Sequence, residues 1–116
     1  MTDSELVERL NSALEQVREE LEARGALLEM DKRPDLRWSG LARLPAGKLF
    51  IQTQKTGRQA APDSKKLVAE ALADVTLEGR FIARILIYPA SAEVELPGGS
   101  RRPLDHSGVA KMFSAL

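Results

Sequence analysis

The sequence has no cysteine, one histidine, and aromatic side chains at only 4% of its 116 positions. Without cysteine no disulfide can form, which excludes a small secreted scaffold stapled by bridges. A transition-metal site would need clustered His, Cys or carboxylates. Only carboxylates are available, and no metal is expected. No apolar run approaches the roughly 18 residues a membrane span needs. The opening Met-Thr-Asp-Ser-Glu is acidic and lacks an apolar core, so no signal peptide is expected. There is no Gly-x-x-x-x-Gly-Lys-Ser/Thr, and Gly98-Gly99 lacks the strand-to-helix setting of a dinucleotide loop. Asp105-His106-Ser107 has the residue types of a hydrolytic triad. Neighbours at a helix start do not face one another, however, and triads are recognised by spatial geometry. His106 reads as an exposed first-turn residue. No cofactor is expected and no enzyme is expected; the default is a cytoplasmic, soluble protein.

What is present is enough for one folded unit, residues 1–116. The apolar fraction is 43%, which supports a core. Val7, Leu10, Leu14, Val17 and Leu21 are spaced 3, 4, 3, 4, so the segment from about Ser4 to Arg24 reads as an amphipathic helix. Thr2-x-x-Glu5 fits a capping box and Gly25 a stop. The seam spans about two heptads, short of a coiled coil. It can lie on a sheet of its own chain or meet its copy in a dimer.

Residues 26–30 read as a short strand or a prolonged helix. Leu36–Leu44 and Lys48–Lys55, joined through Pro45-Ala46-Gly47, read as a hairpin. A helix is expected to start at Pro62-Asp63-Ser64, with Leu67, Val68, Ala71, Leu72 and Val75 as its stripe. Arg80–Tyr88 is apolar on both faces, with Phe81, Ala83, Ile85 and Ile87 on one of them, and reads as a central strand. Glu93–Leu96 reads as an outer strand whose Glu93 and Glu95 are solvated. Asp105 caps a last helix bearing Val109, Met112, Phe113 and Leu116. The expected fold is α+β, order α-β-β-β-α-β-β-α: a two-layer domain with a mostly antiparallel sheet and helices on one face.

The formal charge of zero hides a division. Residues 1–31 carry nine acids and three bases, whereas residues 32–66 carry nine bases and two acids. Such asymmetry can mark a nucleic-acid or membrane partner, or equally self-association of an acidic helix with the basic sheet of a second copy. Lys65 and Lys66 stand in the first turn of the expected helix, where the dipole disfavours cations and a phosphate would be welcome. Ser64-Lys65-Lys66 after three expected strands resembles the second helix of double-stranded-RNA-binding domains. That resemblance spans residues 4–75 and implies lysines contacting phosphates across a groove. Where that family has a glycine-rich approach, this chain has Gln59-Ala60-Ala61-Pro62-Asp63. The element order alone is similar to that of small dimeric secretion chaperones. Trp38 and Phe50, which could form a platform for single strands, read as core residues.

Two functions follow as expectations. The first is a non-enzymatic, chaperone- or adaptor-like protein acting through protein contacts as a homodimer or with another protein, with Val7, Leu10, Leu14, Val17 and Leu21 as the self-association stripe. The second is a nucleic-acid-binding module using residues 32–66, with Arg37, Arg43, Arg58, Ser64, Lys65 and Lys66 as phosphate contacts.

Overall fold

The computed structural model describes residues 2–31, 38–55 and 69–114. The leading helix α1 runs Asp3–Ala23. Thr2 accepts from the Glu5 amide while the Glu5 carboxylate accepts from the Thr2 amide, both at 3.2 Å, so two otherwise unpaired donors are satisfied reciprocally. At the other end Gly25 takes a positive φ of 82°. Its amide and that of Ala26 donate to the Glu22 and Leu21 carbonyls, a glycine-terminated cap of the kind the sequence predicts.

Seven strands follow among the described residues: β1 Glu29–Asp31, β2 Ser39–Leu44, β3 Gly47–Lys55, β4 Ala71–Leu77, β5 Arg80–Ile87, β6 Ala92–Glu95 and β7 Arg101–Pro103. They form one antiparallel sheet in which each strand pairs with its sequence neighbour. The short helix α2, His106–Met112, closes the chain, with Asp105 capping it by accepting from the Gly108 amide at 2.8 Å. The expected α+β class, the antiparallel sheet and the one-sided helices all hold.

Both helices lie against the same face. The inward residues of β3, β4, β5 and β6 form one core with Leu6, Leu10, Leu14, Val17 and Leu21 of α1 and with Val109, Met112 and Phe113 at the end of the chain. Arg9 locks α1 in place by donating to the Tyr88 and Ser91 carbonyls at the β5–β6 turn. Glu5 is engaged in the cap, and Arg9 reaches across to the sheet. Thr53, the one buried polar side chain of the described core, accepts from the Trp38 amide at 2.6 Å and fastens the start of β2 onto β3.

Three local readings are corrected. Ala71–Val75 is strand, with burial alternating along β4; the expected helix start at Pro62-Asp63-Ser64 lies outside the described residues. Arg101–Pro103 adds a seventh strand, so Glu93–Glu95 is an inner strand, and both acids are half-buried. The third correction concerns Phe81. The β4–β5 register shifts between Val75 and Thr76, so that Ala83 pairs with Val75 and Phe81 with Thr76. The bulge inserts Ile82 as an extra residue. A regular strand would aim Phe81 to the same side as Ala83 and Ile85; the bulge turns it to the opposite face, while Ile82 packs on the core.

Candidate functional site

The helices cover one face of the sheet. Among the described residues the exposed large apolar side chains are Leu27, which precedes β1, and Phe50 and Phe81, which the register places on the other face. Phe50 is 42% exposed and Phe81 40%, so Phe50 is a surface residue and the core expectation for it is wrong. Trp38, 3% exposed, is core as expected.

These side chains are aligned by the strand register. Glu29 pairs with Leu41, Leu41 with Phe50, Phe50 with Thr76, and Thr76 with Phe81. Paired residues project to the same side of an antiparallel sheet. One row therefore crosses five strands, β1 to β5, with Phe50 at its centre. Strands lie roughly 4.8 Å apart, so Phe81 stands roughly 10 Å from Phe50. Beside Leu41, an open depression of about 160 Å³ is lined by Gly25, Ala26, Leu27, Glu29, Leu41 and Arg43.

Arg43 pairs with Lys48 on the hairpin side of the row, and both are exposed. The β2–β3 turn is held by Glu78, whose carboxylate accepts from the Lys48 amide at 2.8 Å. It occupies the space a side chain at Gly47 would need, since a Cβ there would sit 2.4 Å from the Glu78 Cγ.

On the other side of the row runs a polar belt. Arg84 donates to Asp74 at 2.6 Å and lies 3.9 Å from Glu95. Its guanidinium sits 5.5 Å from the Phe81 ring centre, a cation–π distance. The hydrogen bond to Asp74, with the charges of Asp74 and Glu95, outweighs desolvation and raises the Arg84 pKa above its ordinary value. Beyond the belt, on the same face, Ala69, Leu86 and Tyr88 are buried in a small second cluster with Leu72 packed on it, so the face is open around Phe50 and Phe81 and closed there. Arg101 donates to the Tyr88 hydroxyl at 2.9 Å.

Burial raises the Tyr88 pKa above 10.0, helped by Glu93 and Glu95 and opposed by Arg101. Tyr88 is the chain's only tyrosine, so phenolate absorbance reads it directly. Its midpoint is expected above 10.0 in the folded protein and at the ordinary value in denaturant. The neutral phenol is the form favoured by folding. Its contribution is therefore full below about pH 10 and lost as pH rises through the raised value.

The self-association stripe is not available to a second copy. Leu10, Val17 and Leu21 are 0% exposed and Leu14 1%, all against the chain's own sheet, and Val7 is partly buried beside them. The helix-on-sheet alternative is the one that holds. Of the expected phosphate contacts, Arg43 is exposed on the bare face. Arg37, Arg58, Ser64, Lys65 and Lys66 lie outside the described residues, and with them the motif that resembles double-stranded-RNA-binding domains. His106 is exposed at the start of α2.

Among the residues whose side chains are described, Arg43, Lys48, Arg84 and Arg101 share this face with Glu29, Asp74, Glu93 and Glu95. No group of three or more His, Asp or Glu among the described residues is placed to hold a metal ion. No described helix is long and apolar enough to cross a membrane. Sequence reasoning missed this face because its signal is cross-strand: Leu41, Phe50 and Phe81 become neighbours only through register and a bulge. Compared with protein-family models, curated proteins and solved structures, the chain matches none.

Proposed function

We propose that this chain is a non-enzymatic cytoplasmic interaction domain that works through protein contacts made by the bare face of its sheet. The observation that carries the reading is the exposure of Phe50 and Phe81 on the face opposite the described helices. Exposed apolar groups rimmed by polar residues are typical of protein contact surfaces. The bulge adds support. Such irregularities re-aim side chains near working surfaces, and this one places an aromatic ring outside the core.

A second reading is a nucleic-acid-binding module. The basic excess of residues 32–66 favours it, and Arg43 and Lys48 lie side by side at the rim of the same face.

One experiment separates the two. A benzophenone side chain is placed at position 50, or at Glu19 on the solvent side of α1, and irradiated in intact cells that make the protein. The first reading expects protein adducts at position 50 and none at position 19. Nucleic-acid adducts at position 50 would favour the second reading, and an absence of adducts there would overturn the first.

A further inference from the structure

We infer that Arg84 is a positioning residue of this contact surface: clamped between Asp74 and Glu95, it fixes the exposed ring of Phe81 before any partner arrives. The role rests on the contact surface proposed above and adds what orders one of its two rings.

Residues three apart in a regular strand point to opposite faces. Phe81 and Arg84 are three apart, yet they meet, because the bulge inserts Ile82 between them. The extra residue therefore has two effects. It turns Phe81 away from the core, and it brings the ring under a guanidinium.

That guanidinium is itself held from both sides. Arg84 pairs with Asp74 on β4 and with Glu95 on β6, so the three side chains form one row across three strands. Its Nε donates to the Asp74 carboxylate at 2.6 Å, and an Nη lies 3.9 Å from a Glu95 oxygen. A single carboxylate would leave the group free to swing about one bond. Two, on opposite flanks, restrict its plane, and that plane lies over the Phe81 ring, 5.5 Å from its centre.

Ion pairs as exposed as these add little to stability: the Arg84 side chain is 39% exposed and Asp74 34%. The consequence of the clamp is geometric instead. An exposed phenylalanine ring moves among rotamers, and a partner that immobilises it must offset the lost freedom. A ring fixed in advance removes that loss. Phe50, the other exposed ring, has no cation stacked on it among the described residues and serves as the internal control.

Arg84→Gln removes the cation at a partly exposed position, so the fold should persist with little change in unfolding free energy. Asp74→Asn keeps the cation and opens one side of the clamp. Three-bond couplings across χ1 of Phe81 in the purified protein are expected to show one rotamer in the wild type, partial averaging in Asp74→Asn and full averaging in Arg84→Gln. Phe50 should be the same in all three.

The contact is read with the benzophenone at position 50, irradiated across a dilution series of cell lysate. The concentration at half-maximal adduct yield is expected to rise about 2-fold to 10-fold in Arg84→Gln, the penalty for immobilising one side chain. A single Phe81 rotamer that persists in either variant would overturn the role of Arg84. So would a half-maximal concentration that stays unchanged once the ring is freed, and the contact surface would then stand without it. No adducts in the wild type would overturn both.

Discussion

Leu14→Ala is expected to lower the unfolding free energy by about 2–5 kcal/mol while leaving the yield of protein adducts at position 50 of the folded protein unchanged. Leu14 is 1% exposed and sits mid-helix between Leu10 and Val17, which are fully buried with it against the sheet. Truncation removes the transfer energy of its methyl groups and leaves a cavity that rigid strands cannot close. Were the seam a docking stripe, the same change would act on association. Denaturant unfolding followed through the single tryptophan, Trp38, reads the first quantity, because that ring is buried in the core the seam helps to form. Benzophenone cross-linking reads the second.

Phe113→Ala is expected to cost about 3–5 kcal/mol. Phe113 is the largest fully buried side chain of the described core. It joins two elements that are distant in sequence. Its ring lies 5.7 Å from the Arg24 guanidinium, and its carbonyl accepts from Arg24 at 3.2 Å. The C-terminal end of α1 and the end of α2 therefore meet through this residue. Loss of the ring should free α2 locally as well as lower global stability, which amide exchange of Val109–Met112 would report as protection falling more than elsewhere. Denaturant unfolding checks the global magnitude.

The parts of the fold that were legible are those specified by local chemistry. The capping box at Thr2, the stop at Gly25 and the 3, 4, 3, 4 spacing of the seam are contained within α1 itself. The β2–β3 hairpin and the capping of α2 by Asp105 are local too. What failed depends on neighbours. Leu72 and Val75 fit a helical stripe, yet Ala71, Ala73, Val75 and Leu77 also alternate. The tie is broken by β3 and β5 on either side, which supply hydrogen bonds to a strand and burial to its inward residues. Arg101-Arg102-Pro103 has no apolar alternation; it is a strand because the Pro97–Gly99 turn folds it onto β6. Its arginines and proline also suit an edge that must not recruit another strand.

The candidate site was the least legible part. The face of Phe81 depends on one inserted residue, Ile82, and a one-residue shift reverses a side chain's direction. The acidic character of the first segment was legible as charge, but its geometric meaning was not: the apolar side of α1 is covered by the sheet, and the acids that flank it face solvent. The exposed rings of Phe50 and Phe81 stand instead on the far side of the sheet.

The most direct test of this face as the contact surface is hydroxyl-radical footprinting of the protein in intact cells against the same protein purified and dilute. Phe50 and Phe81 should be oxidised readily in the purified protein and be protected in cells, with the solvent side of α1 unchanged. Protection that appears on α1 instead, or Phe50 and Phe81 as reactive in cells as in the purified protein, would contradict it.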